Sequence, residues 1–101
     1  MDIRNYRIKH SERFSRDLKN VLKYIADDLK SPIASENMLK AVEKRVRKMS
    51  GNPLIYPKHQ SKRNTYYKLQ VKNYTIFYFI ENDTIILFRF LYSKRDFKKL
   101  I

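Results

Sequence analysis

The sequence has no cysteine, one glycine and three prolines among its 101 residues. Without cysteine, neither a disulfide framework nor a thiolate metal site can form. The two histidines, His10 and His59, are far apart in the sequence, which argues against a zinc or iron site. No apolar run approaches the roughly 20 residues of a membrane-spanning helix. We therefore expect a cytoplasmic protein that has no metal, no cofactor and no membrane segment.

Acidic residues are also scarce, with 10 Asp and Glu against 23 Lys and Arg, so the net charge is +13. Self-repulsion of this size weakens the folded state, and an acidic partner would relieve it. DNA, RNA, a ribosome, a membrane surface or an acidic protein would each qualify, although a lysine-rich composition alone requires none. The hydrophobic content of 43% is enough for one core, and we expect residues 1–101 to form a single domain.

The hydrophobic periodicity predicts a short first strand and two helices. Residues 3–9 alternate imperfectly, as a short strand does. Ser11 is the expected N-cap of the first helix, and Ser31 followed by Pro32 starts the second. Gly51 stands where the second helix should end on a left-handed residue. One buried stripe is expected along both helices, formed by Phe14, Leu18, Val21, Leu22, Ile25, Leu29, Leu39, Val42, Val46 and Met49.

Residues 52–64 read as a loop, after which three strands are expected. These strands span residues 66–71, 74–80 and 84–91. The turns between them are too short for crossover connections, so the strands form an antiparallel meander. The helical hairpin must then bury its stripe against one face of that sheet. The sequence therefore predicts an α+β, two-layer β-α-α-β-β-β domain with a helical hairpin packed on an antiparallel sheet.

Basic residues cluster on and after the predicted strands. Lys68 faces away from its neighbour Leu69, so one side of that strand is core and the other is basic. Arg89 lies in an otherwise apolar strand and needs a partner or a ligand, because an unpaired buried charge is costly. A positive concave surface suited to phosphate could be formed by Lys68, Lys72, Arg89, Lys94 and Arg95. The alternative is a solvated sheet face, with Arg89 paired to Asp96.

Four short patterns follow one another along the chain. They are S-x-x-F-x-x-D-L at residues 11–18, S-P-x-A at 31–34, V-K-N-Y-x-I-F-Y at 71–78 and R-x-L-Y-x-x-R-D at 89–96. In this order and spacing they resemble the RelE/ParE superfamily of toxins from type II toxin–antitoxin systems, and ParE-like members most. The resemblance implies the β-α-α-β-β-β fold and a growth-inhibiting toxin that a cognate antitoxin protein neutralises.

The resemblance leaves two targets open. ParE-like members act on DNA gyrase without a nuclease site, whereas RelE-like members cleave mRNA in the ribosome with basic residues and typically a Tyr or His near the C-terminus. Arg95 resembles a functional arginine of RelE-like toxins, but Gln70 stands where another arginine is expected. The tail after Asp96 has no Tyr or His, so Tyr92 and His59 are the nearest candidates for a general acid.

Gyrase is therefore the favoured target, and no catalytic residue is assigned. Ribosome-dependent mRNA cleavage is the alternative. A non-toxic basic module that binds nucleic acid is a further alternative, because the charge alone would also suit that role.

Overall fold

A computed structural model of the chain describes residues 5–62, 64–96 and 100–101. Two helices lie on one face of a five-stranded sheet, which confirms the predicted α+β, two-layer domain. The elements in chain order are β1 (Arg7–His10), α1 (Glu12–Lys23), a π-helical turn (Tyr24–Asp28), α2 (Pro32–Ser50), β2 (Lys58–Gln60), β3 (Thr65–Val71), β4 (Tyr74–Glu81) and β5 (Thr84–Tyr92). None of the described helices is long and apolar enough to cross a membrane.

The strands are ordered β1-β5-β4-β3-β2 across the sheet. The predicted antiparallel meander of β3, β4 and β5 is confirmed. The sheet as a whole is mixed, because β1 pairs with β5 in parallel, from Arg7 opposite Thr84 to His10 opposite Leu87. This parallel pairing is possible because the connection between β1 and β5 includes both helices and the other three strands, which is ample length for a crossover.

The observed strands differ from the predicted ones in two details. The expected loop at residues 52–64 contains β2, in which His59 pairs with Tyr66. Three mostly polar residues carry too little alternation to mark a strand, so only the backbone pairing with β3 reveals it. The first strand runs over Arg7–His10, and the part of the prediction at residues 3 and 4 lies outside the described residues.

Serine caps begin both helices, as predicted. The Ser11 hydroxyl accepts a hydrogen bond from the Phe14 amide at 3.0 Å. The Ser31 hydroxyl accepts one from the Ala34 amide at 3.3 Å, with Pro32 in the first helical position. Each cap satisfies an amide that would otherwise lack a helical partner.

The prediction of a left-handed Gly51 is wrong, since its φ is −72°. Its amide donates to the Lys48 carbonyl at 3.2 Å, which tightens the last turn instead of reversing the chain. The described residues with positive φ are Lys30, Lys72 and Asn82, all in connections between elements.

The main core lies between the helices and the sheet. The first helix contributes Phe14, and the second contributes Met38 where the sequence pattern suggested Leu39, which is exposed. Met38 lies four residues before Val42, so it continues the helical spacing of the stripe better than Leu39 does. The buried cluster consists of Phe14, Ile25, Met38, Val42, Val46, Met49, Leu69, Val71, Ile76, Tyr78, Ile85, Leu87 and Phe90.

Candidate functional site

The face of the sheet that points away from the helices has an apolar part and a polar part. In the apolar part, Tyr66, Phe77 and Leu91 are buried. Partly buried residues that pack against them are Phe79, Phe88, Leu100 and Ile101. The polar part continues along β3 into a cleft of about 370 Å³, which we call the polar cleft and which is lined by Arg45, Tyr56, Pro57, Lys68, Gln70, Thr75 and Ser93.

The polar cleft lies where β3 loses its neighbouring strand. Pairing between β2 and β3 ends at Tyr67, and the next amide, that of Lys68, donates to the Pro57 carbonyl at 2.8 Å. Two residues further on, the Gln70 carbonyl accepts a hydrogen bond from Arg45 Nε at 3.1 Å. The free edge of the strand thus holds a guanidinium from α2 in the same cleft as the Lys68 side chain.

The floor of the polar cleft is a network of neutral side chains. Gln70 Nε2 donates to the Ser93 hydroxyl at 2.7 Å and to the Lys72 carbonyl at 2.6 Å. The Thr75 hydroxyl lies 2.9 Å from the Ser93 hydroxyl and donates to Gln70 Oε1 at 3.2 Å. These groups are uncharged and bond to one another. The charge of the cleft therefore comes from Arg45 and Lys68. Such a site can hold a phosphate or a carboxylate.

Four of the five candidate basic residues lie in the polar cleft and in two exposed turns. Lys68 lies in the polar cleft. Lys72 lies in the exposed turn after β3, and Lys94 and Arg95 lie in the exposed turn after β5. A hydrogen bond of 2.9 Å from the Ser93 amide to the Asn73 carbonyl holds these two turns together.

Arg89 is separated from the other four candidates. It is buried, and its Nε and Nη2 atoms donate to the two carboxylate oxygens of Asp17 at 2.7 and 3.1 Å. The ion pair predicted with Asp96 as the alternative is thus formed with Asp17 of α1. Asp17 also accepts a hydrogen bond from the Phe90 amide at 3.0 Å, on the edge of β5 beyond the end of β1. Arg89 therefore fastens the first helix to the last strand.

Sequence reasoning missed Arg45. It lies on α2 between Val42 and Val46, which face the core, so its stem is carried to the margin of the buried stripe. No charge pattern in the sequence links it to Lys68. Only its position beside the stripe could have suggested that it faces the sheet.

The two candidate acids lie outside the lining of the polar cleft. The His59 ring packs edge-on against Phe77, with centroids 6.1 Å apart. Tyr92 is 41% exposed at the end of β5. Among the described residues that line the polar cleft, none is a histidine or a carboxylic acid.

Comparison with known proteins identifies the family. Residues 8–97 match the family described as the ParE toxin of the type II toxin–antitoxin system, parDE.

The chain belongs to the ParE toxin family.

Solved structures show that this ParE-family toxin shares its fold with several toxins. The chromosomal ParDE system of P. aeruginosa aligns with a TM-score of 0.75 at 11% identity, covering 89% of this chain and 98% of that one. The archaeal RelE–RelB complex of Pyrococcus horikoshii OT3 aligns at 0.63 with 13% identity, covering 91% and 99%. YafQ of E. coli strain BL21(DE3) aligns at 0.56 with 22% identity, covering 87% and 93%. Among curated protein sequences, none matches the chain significantly.

The toxin has a larger hollow along α1, which we call the α1 groove. Its volume is about 660 Å³, and its lining residues are His10, Phe14, Ser15, Leu18, Lys19, Leu22, Lys23 and Asp27. The apolar residues among them recur every four residues, so they form one ridge of the helix. Lys19 and Lys23 run along the same side. At the N-terminal end of the groove, the hydroxyl of Ser15 in α1 lies 2.7 Å from Nδ1 of His10 at the end of β1.

Proposed function

We propose that this ParE-family toxin inhibits growth by poisoning DNA gyrase, and that a cognate antitoxin neutralises it. The match of residues 8–97 to the ParE toxin family supports this proposal. The observation that favours gyrase over RNA is that, in the part of the chain that the structure describes, no histidine or carboxylic acid is among the residues lining the polar cleft, in which Arg45 and Lys68 stand over a neutral, mutually bonded floor.

RNA cleavage through the 2′-hydroxyl needs a base, a stabilised phosphorane charge and an acid for the leaving oxygen. Arginine stabilises charge but does not exchange protons near neutral pH, and a lysine does so only when its pKa is depressed. Tyr56 also lines the cleft and could exchange a proton, but no histidine or carboxylic acid stands with it among the described lining residues. The cleft is thus better suited to binding an acidic group than to supplying both a base and an acid. Target poisoning requires binding alone.

Ribosome-dependent mRNA cleavage is the second candidate. It is favoured by the presence of two cations, Arg45 and Lys68, in one cleft that could hold a phosphate. The structural likeness to the RelE of the Pyrococcus horikoshii complex is consistent with it at the level of fold.

Two assays separate the candidates. Purified toxin is added to gyrase, and supercoiling and trapped cleavage complexes are measured. In parallel, mRNA ends are mapped on translating ribosomes. We expect impaired supercoiling and no codon-positioned cleavage. Cleavage that disappears in the Lys68→Ala, Arg95→Ala double variant, persists in a Lys44→Ala, Lys48→Ala control and leaves supercoiling intact would establish the RNA alternative.

The α1 groove supports the antitoxin part of the proposal. Structural relatives of the toxin were solved as a ParDE system and as a RelE–RelB complex. A floor of Phe14, Leu18 and Leu22 with Lys19 and Lys23 beside it suits an amphipathic segment with acidic flanks. The surplus of positive charge over the whole chain would speed the encounter.

The antitoxin contact is tested by reversing the two groove lysines. Growth is first compared when the toxin is expressed alone and with its antitoxin, and we expect growth arrest only without the antitoxin. Lys19→Glu with Lys23→Glu should slow antitoxin association about tenfold at low salt. Lys44→Glu with Lys48→Glu, on the exposed side of α2, is the matched control. Equal slowing by both pairs would place the effect in the net charge and not in the groove.

A further inference from the structure

Three tyrosines form a patch at the end of the sheet where β4 begins and β5 ends. Tyr74 pairs with Tyr92 in the β4–β5 ladder, and their rings meet edge-on with centroids 5.8 Å apart. Tyr74 also stacks on the buried Phe90 ring at 4.9 Å with an angle of 11° between the planes. Tyr24 comes from the π-helical turn. We call these three residues the tyrosine patch.

The outer residues of the patch are exposed, and its central ring, Tyr74, packs on the buried core. Tyr24 and Tyr92 are 45% and 41% exposed, whereas Phe90 is 1% exposed. Burial raises the pKa of Tyr74, and the nearby phenols of Tyr24 and Tyr92 raise it further. Tyr74 is therefore a ring held on the core, with the Tyr92 ring packed against it and the Tyr24 phenol nearby.

Cations border the patch. Lys72 lies two residues before Tyr74, and Lys94 and Arg95 lie just after Tyr92. The hydrogen bond from the Ser93 amide to the Asn73 carbonyl joins their two turns. On the opposite side, Asp27 and Asp28 belong to the same π-helical turn as Tyr24. The border is thus positive beside the two strand ends and of mixed charge beside the π-helical turn, where Lys23 precedes Tyr24.

We propose that the tyrosine patch, with Lys72, Lys94 and Arg95 beside it, is the surface that binds an acidic region of the toxin's protein target. This inference rests on the proposed toxin function and assigns the contact to a place outside the polar cleft. Exposed tyrosines held on a core lose little side-chain entropy on binding, which makes them effective anchors in protein interfaces. The neighbouring cations steer an acidic partner towards them.

The ring geometry favours a protein over a nucleic acid strand. Stacking of bases needs an open ring face. One face of Tyr74 lies on Phe90, and Tyr92 meets Tyr74 edge-on. One face of Tyr74 is thus closed to a base, and the Tyr74 and Tyr92 rings lie at 72° to each other, so they form no parallel platform for successive bases. The phenol hydroxyls and ring edges suit the carbonyls, carboxylates and apolar side chains of a protein surface.

The patch shares no residue with the linings of the α1 groove and the polar cleft. If antitoxin binds along α1, patch variants should lose toxicity while still binding antitoxin. This expected separation of the two activities makes the proposal testable without knowing the target.

Two variants probe the patch. Tyr92→Ala removes an exposed anchor, and Ile33→Ala, at a residue 73% exposed on α2, is its control. Lys72→Asp with Lys94→Glu reverses the border charges in two exposed turns without touching the core, so it keeps the test sound if Tyr92→Ala folds poorly. Lys44→Glu with Lys48→Glu is the charge control. Growth inhibition, antitoxin affinity, gyrase affinity and affinity for a single-stranded oligonucleotide are measured for each.

We expect both patch variants to lose growth inhibition, to bind gyrase about tenfold or more weakly, and to bind antitoxin within twofold of the unmodified chain. Lost toxicity with no gyrase binding by the unmodified chain would support the patch and refute gyrase as the target. Patch variants as toxic as the controls would overturn the proposal. So would a loss of oligonucleotide affinity that parallels the loss of toxicity, because the surface would then bind nucleic acid.

Discussion

At the scale of single residues, the Asp17 carboxylate has the most demanding role. It accepts hydrogen bonds from Arg89 Nε and Nη2 and from the Phe90 amide, and the side chains of Arg89 and Asp17 are only 10% and 16% exposed. A buried guanidinium that loses its carboxylate keeps its desolvation cost without compensation. The attraction within the ion pair therefore affects stability less than the loss of one partner would, because that loss leaves a buried charge unpaired.

Asp17→Asn should lower the free energy of unfolding by about 3 kcal/mol, because it keeps the shape of the side chain but leaves the Arg89 charge uncompensated. Urea denaturation measures this change. Asp28→Asn, at an exposed carboxylate, should shift the free energy by no more than about 0.5 kcal/mol. Similar losses in the two variants would mean that net charge matters and the ion pair does not.

A second prediction at this scale concerns the Tyr78 hydroxyl, which is buried and donates to the Pro53 carbonyl at 2.7 Å. Tyr78→Phe should cost about 1–2 kcal/mol at neutral pH, because the carbonyl loses its donor in the core. Tyr24→Phe, at an exposed ring, is the control. Chemical denaturation of both variants at neutral pH gives the comparison.

The same residue should make stability depend on alkaline pH. Burial raises the pKa of Tyr78 above its ordinary value of 10.0, and the nearby Tyr56 and Tyr67 add to the rise. The stabilisation is therefore complete below about pH 10 and is lost as the pH rises towards the folded-state pKa, since only the unfolded chain ionises readily there. The alkaline decline should be shallower in Tyr78→Phe than in the unmodified chain. Parallel declines would contradict the assignment.

At the scale of elements, the helix ends and turns depend on backbone conformation. Gly51 has a φ of −72°, and a Cβ built there meets only the Lys48 carbonyl oxygen at 3.5 Å, an ordinary contact. Gly51→Ala should raise the free energy of unfolding by about 0.5 kcal/mol, because the unfolded chain loses freedom. Asn82→Ala, at a φ of 58°, should instead lower it by about 1 kcal/mol. Thermal unfolding distinguishes the two signs, and a destabilised Gly51→Ala would contradict the observed conformation.

The elements also show what the sequence could reveal. The caps at Ser11 and Ser31 and the three long strands were predictable, because each follows from a local pattern of a few residues. The parallel partner of β1 was not, since a single strand carries no mark of the strand beside it. The pairing of Asp17 with Arg89 was not predictable for the same reason, since the two residues are 72 positions apart in the sequence.

The candidate site was predictable only in part. Alternation along β3 placed Lys68 on the polar side of the sheet, and the structure puts it in the polar cleft. Arg45 was missed because its closeness to Lys68 depends on how α2 lies across the sheet. The tyrosine patch likewise joins a π-helical turn to two strands, and no sequence spacing indicates that contact.

At the scale of the whole molecule, the net charge of +13 dominates. The free toxin should become more stable as sodium chloride is added, and most of the gain should come by about 0.2 M, where screening already acts within roughly 10 Å. Arg13→Glu with Lys44→Glu lowers the net charge by four units and should show a smaller gain. Melting temperatures across the salt series test this. If the melting temperatures of the unmodified toxin and the variant both keep rising well beyond about 0.2 M, the salt acts on apolar burial instead.

The parallel pairing of β1 with β5 has a consequence for the synthesis of the toxin. The strand Arg7–His10 can pair only after Thr84–Leu87 has been synthesised. Likewise, Asp17 can form its ion pair only after Arg89 has been added to the chain. A nascent chain that stops before β5 has neither the neighbour of its first strand nor the anchor of its first helix. Contacts so distant in sequence form late and all together. An interrupted translation product should therefore remain unfolded and harmless, so that the cell meets an active toxin only when the last strand has been completed.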